Sequence, residues 1–293
     1  MAIVTINGES YHIDNKLNKI WNRNSLETIK KQNTDKVYII DGRERIGKSL
    51  FTIQQMGKID PEVFKDPQTF VSRICFSADE FNKVCRDVRN GVIIFDEAFR
   101  GLSSRSALSK VNKKIIQTLM EMGQNNNIVF IVLPSFFLLD IYPAMLRSDG
   151  LFHIAISKKD GKRVFYGYDR GDKNKLYQMG IRKGWKYYVK TKFIGRFFGK
   201  FPGGEEFEKA YLDKKARMFK ERENEESFAE IESRFMNQRD TLIYLMYKNY
   251  IKSQRKVADL LKSYGYGDVS RENITRICEK VKEKLEKEGI GQV

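Results

Sequence analysis

The chain has 293 residues, of which 41% are hydrophobic and 31% charged, and its formal net charge is +16. This length allows one core of ordinary domain size and a smaller second module. No apolar run reaches the roughly 18 residues that a membrane span requires, and the N-terminus lacks the order of a signal peptide. We therefore expect no integral membrane span and a cytoplasmic location, in the host cell if the protein is viral.

The cysteine pattern indicates neither a disulfide framework nor a zinc site. Cys75, Cys85 and Cys278 are an odd number at unrelated spacings, and His12 and His153 are the only histidines that could join them as metal ligands. This pattern predicts neither disulfides nor a zinc site. Free cysteines of this kind usually pack as small buried hydrophobic residues.

The positive charge is concentrated in the middle of the chain. Lys and Arg exceed Asp and Glu by 4 in residues 1–150, by 12 in residues 151–220 and by 0 in residues 221–293. A basic segment beside a nearly balanced domain is expected if one region grips a polyanion. Nucleic acid, and DNA in particular, is the first candidate partner.

The first part of the chain alternates strands and helices. Residues 2–13 alternate apolar and polar residues and break at Asn7-Gly8, which predicts a β-hairpin. The next predicted elements are strand 36–41, helix 48–56, strand 72–77, helix 78–88, strand 91–96, helix 106–122, strand 127–133, helix 137–147, and strands 151–156 and 164–168. This order predicts an α/β fold, a mostly parallel sheet sandwiched by helices, over a domain at residues 1–168.

The remainder of the chain has a different character. Aromatic and cationic residues interleave in 182–201, which predicts a β-hairpin with one basic face and one buried aromatic face. The composition of residues 203–233 predicts one highly charged helix or a pair of helices. The predicted second region, 169–236, therefore consists of a basic aromatic hairpin and a charged helical connector. Helices at 239–251, at 254–263 after Ser253, and from 271 after Ser270 predict a helix-turn-helix, winged-helix-like module at 237–293.

Residues 42–49 read GRERIGKS, a complete Walker A sequence that follows an apolar strand and precedes a helix. Gly42 and Gly47 let backbone N–H groups surround a phosphate, while Lys48 reaches the β- and γ-phosphates and Ser49 places its hydroxyl on Mg²⁺. The predicted nucleotide-binding segment comprises Gly42, Arg43, Glu44, Arg45, Ile46, Gly47, Lys48, Ser49 and Leu50.

Residues 92–97 read VIIFDE, a matching Walker B strand. Asp96 is predicted to complete the magnesium shell through water, and Glu97 to act as the general base for the attacking water. The adjacent Asp-Glu pair favours a hydrolase over a kinase, and the absence of an NKxD-type guanine reader argues against a GTPase. We therefore expect an ATP phosphohydrolase with ATP and Mg²⁺ as its cofactors.

The order of these motifs, followed by IIFDEAFR at 93–100, IVFIVLPS at 128–135 and then MLRSDGLFHI, resembles the FtsK/HerA/zonula-occludens-toxin-like branch of additional-strand P-loop ATPases. The resemblance implies a RecA-type sheet and a homo-oligomeric ring that works as a DNA motor in chromosome segregation, conjugation, or viral assembly or packaging.

The same resemblance implies two further catalytic residues. Ser135 would be the polar sensor at the tip of the fourth strand, between the Walker strands and the γ-phosphate. Arg147 would be the arginine finger supplied to a neighbouring subunit, with Arg100 and Arg105 as rivals. Alternatively, Arg147 is a cation that complements the dipole at a helix C-terminus.

Three segments are candidates for nucleic-acid contact. The loop and helix at 101–114 contain Arg105 and Lys110. In a ring motor these residues could face the central channel and contact DNA phosphates. Alternatively, they belong to a solvated loop and a Ser-capped helix. Aromatic residues in 182–201 could stack bases or brace a strand, or the segment could bind anionic lipid. Its predicted phosphate contacts are Lys183, Lys186, Lys190, Lys192 and Arg196. The C-terminal module offers Arg271, Asn273 and Arg276 to DNA, or packs against a partner.

The leading hypothesis from the sequence is an ATP-hydrolysing, ring-forming DNA translocase or packaging motor of a virus, plasmid or other mobile element. One alternative is an ATP-switched loader or regulator that binds a specific DNA sequence without moving along it. Another is a membrane-associated ATPase for virion assembly, with a viral or conjugative assembly partner.

Overall fold

The computed structural model describes residues 2–96, 105–191, 193–264 and 270–287, and within them all side chains except those of 105–109, 222–235 and 284–287. The chain divides into two compact units, Met1–Met218 and Phe219–Val293. The three predicted regions, 1–168, 169–236 and 237–293, stay predictions, and the two units are described separately below.

The N-terminal hairpin forms as predicted. Strands β1 (Ala2–Ile6) and β2 (Glu9–Ile13) pair antiparallel. At the turn, Asn7 has φ 50° and Gly8 has φ 82°, so both residues adopt the left-handed conformation of a type I′ turn. An Asn-Gly pair tolerates this conformation, and the local sequence alone therefore determines the turn.

The first unit is built on a seven-stranded sheet. Its strands are β3 (Lys36–Asp41), β4 (Ile74–Cys75), β5 (Val92–Phe95), β6 (Ile128–Leu133), β7 (Gly150–Ile156), β8 (Arg163–Asp169) and β9 (Phe193–Arg196). Their spatial order is β4-β5-β6-β3-β7-β8-β9. β3 to β7 are parallel, and β8 runs antiparallel to both of its neighbours. The predicted α/β fold with a mostly parallel sheet is confirmed.

The helices of this unit are α1 (Asn15–Arg23), α2 (Leu26–Gln32), α3 (Lys48–Ile59), α4 (Pro67–Ser72), α5 (Ala78–Asp87), α6 (Arg105–Glu121), α7 (Arg170–Arg182) and the first part of α8 (Glu205–Met246). Tyr142–Arg147 is a short π-helix, and Pro61–Lys65, Met122–Asn125 and Phe136–Leu138 are 3₁₀ turns. Side chains accept backbone N–H groups at the starts of five helices, namely Asp14, Ser25, Asp66, Ser77 and Asp169.

Two hydrophobic cores cover the two faces of the sheet. Successive residues of a strand point to opposite faces, so Tyr38 and Ile40 belong to one core and Val37 and Ile39 to the other. The first core also contains Trp21, whose indole N–H donates to Gln55 Oε1 at 2.8 Å. With both faces covered, the sheet leaves its strand ends as the place where polar side chains can meet solvent.

The segment at 182–201 does not form the predicted hairpin. β9 pairs with β8 in the large sheet, whereas β10 (Phe198–Gly199) pairs with β2 in the N-terminal sheet. The single residue between the two strands, Phe197, is 3% exposed and packs 5.1 Å from the Phe51 ring. The alternating pattern identifies which residues turn inward, but it does not specify which strand edge each half joins.

The second unit contains the end of α8, a π-helical turn at Tyr247–Ile251, α9 (Gln254–Ser263) and α10 (Arg271–Lys287). Its core consists of Ile243, Val257, Ala258, Ile274 and Cys278. Residues 205–246 form one continuous helix, so the segment predicted as one helix or a pair is a single helix. The separate helix predicted at 239–251 was wrong at its start, because no Gly or Pro interrupts residues 234–238 and α8 runs through them. The turn of the predicted helix-turn-helix includes 265–269, which lies outside the described residues, and the motif remains a prediction.

The described ranges contain no helix that is both long and apolar enough to span a bilayer. They also contain no cluster of three or more His, Cys, Asp or Glu side chains arranged to hold a metal ion. The three cysteines are buried thiols.

Lys173 on α7 is a fully buried lysine. Its ammonium group donates to the carbonyl oxygens of Ala144 and Met145 and to Asn174 Oδ1 at 2.8 Å. Burial, together with the nearby Arg170 charge, lowers the pKa of Lys173 from 10.5 to about 8.

The buried lysine predicts a pH-dependent stability. Below about pH 8 both states hold the proton and folding bears the full cost of burying the charge. Between about pH 8 and 10.5 the unfolded chain binds more protons than the native state, so stability rises with pH. We expect the stability of wild type relative to Lys173→Met to increase by about 1–3 kcal/mol from pH 7.5 to 10. Urea unfolding at both pH values measures it, and a constant difference would contradict it.

Candidate functional site

The loop between β3 and α3 has the backbone geometry of a phosphate-binding loop. Gly42 has φ 139°, Gly47 has φ 96° and Arg45 has φ 60°, all in the region that glycine tolerates best. A Cβ atom at Gly42 would lie 2.4 Å from the carbonyl oxygen of Ile154 on the neighbouring strand. Position 42 therefore accepts no side chain, and the loop passes close against β7.

Lys48 is held at the mouth of this loop. Its Nζ donates to the carbonyl oxygens of Gly42 and Arg43, each at 2.7 Å. Lys48, Ser49 and Leu50 form the first turn of α3, where backbone N–H groups have no partner within the helix. A cation, a hydroxyl and the backbone N–H groups of a helix N-terminus thus converge where an anion would be stabilised.

A cavity of about 760 Å³ opens in front of this turn, and we call it the nucleotide cavity. Its lining residues are Glu44, Arg45, Gly47, Lys48, Ser49, Leu50, Asp96, Val132, Leu133, Pro134, Arg163, Glu208, Tyr211 and Leu212. The volume lies within the range of ordinary ligand pockets. Gly47, Lys48 and Ser49 of Walker A therefore face one cavity together with Asp96 of Walker B, whereas Gly42, Arg43 and Ile46 line a different cavity.

Asp96 follows β5 directly and is 1% exposed. The hydroxyl of Tyr211 on α8 donates to Asp96 Oδ2 at 2.7 Å. The Asp96 carboxylate and the Ser49 hydroxyl both line the cavity, and they are the hard oxygen ligands that Mg²⁺ prefers beside phosphate. Glu97, the predicted general base, lies outside the described residues, as does Arg100.

Four residues of the nucleotide cavity lie outside every motif identified in the sequence. Arg163 stands at the start of β8, and a Cβ placed on Gly47 would lie 3.2 Å from its Nε. This places a second cation against the phosphate loop. Glu208, Tyr211 and Leu212 come from α8, and no motif precedes or surrounds them. Only the three-dimensional packing of α8 on the first core brings them to the cavity.

Ser135 follows β6, which lies between the Walker B strand and the phosphate-loop strand, as the sensor role requires. Its side chain lines another cavity, of about 590 Å³, which we call the second cavity. Pro134 lines both cavities. The sensor role of Ser135 remains a proposal.

Asp41, the last residue of β3, is a fully buried carboxylate. It accepts hydrogen bonds from the Phe136 N–H at 2.9 Å, from His153 Nδ1 at 2.9 Å and from the Tyr187 hydroxyl. Burial and the Asp41 charge raise the pKa of Tyr187 well above its ordinary value and that of Tyr168 to about 12. The carboxylate immediately before Gly42 is therefore tied to three separate segments, which no sequence motif indicated.

Arg147, the predicted arginine finger, is held by contacts within its own chain. Its guanidinium forms an ion pair with Asp35, and its Nε donates to the Leu119 carbonyl at 3.1 Å. Asp35 precedes β3, whereas the phosphate loop follows it, so the pair lies about 20 Å away at the opposite end of the strand. Arg147 is 17% exposed and engaged within its own chain. Because a finger would act on the nucleotide of a neighbouring subunit, its role as an arginine finger stays a prediction.

The predicted nucleic-acid contacts are distributed over several places. Lys110, Lys183, Lys186 and Lys190 are exposed, with Lys183 Nζ 5.2 Å from the centre of the Tyr188 ring. Lys186 lines the second cavity. Arg196 on β9 pairs with Asp160 at 2.7 Å. Lys192 and the side chain of Arg105 lie outside the described part.

In the second unit, Arg271 and Arg276 are exposed on α10 and line a shallow concave surface that also includes Glu272 and Glu279. Arg276 donates to Asn273 Oδ1 at 2.5 Å. The cationic surface is thus mixed with carboxylates.

No family model and no curated protein matches this chain. Similar solved structures include the N-terminal domain of zonular occludens toxin from Neisseria meningitidis, with 17% identity and a TM-score of 0.27 over 46% of this chain and 84% of that one. A KaiC-like protein from Pyrococcus horikoshii has 12% identity and a TM-score of 0.27, over 47% and 78% of the two chains. The flagellar accessory protein FlaH from Methanocaldococcus jannaschii has 13% identity and a TM-score of 0.24, over 46% and 78%. These TM-scores are too low for the similar structures to support an argument about this chain. The description of the fold therefore depends only on the chain's own strand order.

The position of Arg163 predicts a role in binding a triphosphate. Arg163→Ala removes a cation that lies against Gly47, and we expect ATP to bind about 5–20-fold more weakly, the loss of one charge-assisted contact. Titration with a fluorescent ATP analogue measures the affinity. Lys162→Ala is the matched control, since it removes the same charge from the preceding exposed residue, which does not line the cavity. Equal affinities in the two variants would contradict the assignment.

Proposed function

We propose that this protein is a Mg²⁺-dependent ATPase that works on DNA as a homo-oligomeric translocase or packaging motor of a virus, plasmid or other mobile element. The observation that carries the proposal is the nucleotide cavity, in which Gly47, Lys48, Ser49 and the Walker B carboxylate Asp96 face one space. This combination is what the binding and hydrolysis of a nucleoside triphosphate require.

Each group has a distinct task in this proposal. Lys48 and Arg163 balance phosphate charge, and the N–H groups at the start of α3 bind phosphate oxygens. Ser49 and Asp96 would hold Mg²⁺, which offsets the charge of the triphosphate. Glu97 follows Asp96 in sequence and would polarise the attacking water.

The charge of the chain supports a nucleic-acid partner. Residues 151–220 hold a surplus of 12 positive charges, and Lys183, Lys186 and Lys190 are exposed within it. Phosphate contacts by such side chains supply most of the affinity for DNA and weaken as salt rises. The ring, and the origin in a mobile element, come from the sequence resemblance to ring-forming DNA motors.

A second candidate is an ATP-switched DNA-binding loader or regulator. It is favoured by Arg271 and Arg276 on one exposed surface of α10 in a compact three-helix unit. A regulator would protect one DNA sequence from nuclease in an ATP-dependent manner, whereas a motor would displace a strand from a triplex without sequence preference.

The proposed function predicts ATP hydrolysis that DNA stimulates. We expect Lys48→Ala, Asp96→Asn and Glu97→Gln each to lower the DNA-stimulated rate at least about 100-fold, since each removes a group that stabilises the transition state. We also expect the stimulation to fall between 50 and 200 mM salt. Phosphate release measures both.

Lys31→Ala serves as the control, because Lys31 is 74% exposed and, within the part of the chain that the structure describes, pairs only with Glu27 on the same helix. Hydrolysis that proceeds at the same rate with and without any DNA would argue against the motor. A protein that remains a monomer with Mg-ATP and DNA present would argue against the ring.

A further inference from the structure

The second cavity is not used by the proposed hydrolysis, although it shares Gly42 and Arg43 with the phosphate loop. Its volume of about 590 Å³ is enough for a nucleotide-sized group. The second cavity is therefore large enough for a ligand separate from one in the nucleotide cavity.

The second cavity is surrounded by positive charge. Arg43, Lys158 and Lys186 line it from three separate segments of the chain, and no carboxylate lines it. Within the described residues, none of these three side chains forms an ion pair or a hydrogen bond. Three cations without a counter-ion around one concave surface attract an anion.

Trp185 presents an aromatic face at the same place. Its side chain is 53% exposed, whereas the other tryptophan, Trp21, is 2% exposed. Trp185 has φ 62°, a conformation that is unfavourable for a bulky residue and that clusters at functional sites. The backbone N–H of Trp185 donates to the Gly180 carbonyl at 2.6 Å. The Trp185 ring stacks on the Phe137 ring, with 6.4 Å between the ring centres. The structure thus holds an indole in an unfavourable backbone conformation at the edge of a basic cavity.

A cation cluster beside an exposed aromatic ring matches the chemistry of an unpaired nucleotide strand. The indole stacks a base, and the cations contact the phosphates that flank it. A duplex offers no free base face, because its bases are stacked on each other. We propose that the second cavity binds a short stretch of single-stranded nucleic acid through Trp185, Arg43, Lys158 and Lys186. This inference rests on the proposed function, since it names the nucleic-acid site of that ATPase.

The floor of the second cavity connects it to the phosphate loop. His153 and Tyr187 both line the cavity and both donate to Asp41, which directly precedes Gly42. Tyr187 follows Lys186 in the chain, and its ring stacks on His153 at 3.9 Å. A nucleic-acid strand that contacts Trp185 and Lys186 would therefore lie beside Tyr187. The Tyr187 hydroxyl donates to Asp41, the carboxylate that precedes the phosphate loop. Occupation of the second cavity and hydrolysis in the nucleotide cavity are coupled through Asp41.

Intrinsic tryptophan fluorescence of the full chain tests the proposal. Addition of a thymidine oligonucleotide of about ten residues should quench Trp185, and Trp185→Phe, which leaves only the buried Trp21, should not respond. Lys158→Ala combined with Lys186→Ala should weaken oligonucleotide binding at least about tenfold. The control pair, Lys159→Ala with Lys175→Ala, removes the same charge from exposed residues outside the cavity and should bind like wild type.

Three results would overturn the proposal. The first is the absence of quenching, or equal affinity in the two double variants. The second is quenching of the same size by ADP alone, which would assign the second cavity to a nucleotide. The third is stronger competition by a duplex than by the single strand.

The same variants separate this inference from the proposed function. If wild type shows DNA-stimulated hydrolysis and Trp185→Ala retains the full stimulation, the second cavity is not the site although the ATPase assignment stands. If wild type shows no stimulation but the oligonucleotide quenches Trp185, the motor fails while the binding site stands. Thermal unfolding of each variant excludes a loss of fold as the cause.

Discussion

The edge of the sheet that carries the phosphate loop depends on one buried carboxylate, Asp41. An ionised group without exposure to water is stable only when hydrogen bonds replace its hydration. Here the donors are the Phe136 N–H, His153 and Tyr187, which come from the tip of β6, from β7 and from the segment after α7. Because these bonds converge on the residue before Gly42, the starting point of the phosphate loop is fixed by three parts of the fold. The positions of both cavities follow from that anchor.

The phosphate loop separates two cavities of unlike chemistry. The nucleotide cavity mixes the cations Lys48 and Arg163 with the carboxylate Asp96, as a site for a metal-bound triphosphate requires. The second cavity combines cations with an indole and no carboxylate, which suits a ligand that brings charge without a metal. The Tyr211 hydroxyl on Asp96 shows that the nucleotide cavity is completed by α8, well beyond the strands that carry the Walker motifs.

Features that depend on neighbours in sequence were predictable, and features that depend on distant partners were not. The Asn7-Gly8 turn, the cap Ser77 and the Walker A glycines each follow from the backbone preference of the residues themselves. The hairpin predicted at 182–201 was wrong, because periodicity assigns faces but leaves the pairing edge open. Arg163 and Tyr211 carry no local signal, and the pairing of Arg147 with Asp35 joins residues 112 positions apart.

The passage of the chain from β9 to β10 through Phe197 has a consequence for synthesis on the ribosome. β2 receives its second partner, and β8 its outer neighbour, only when residues 193–199 emerge. Until then both sheets present an open edge to other nascent chains, and such edges promote aggregation. Pairing of His12 with Phe198 closes a long loop of the first unit, a step that long sequence separation makes slow. Tyr211 is translated later still, so within the first unit the nucleotide cavity is completed after both sheets.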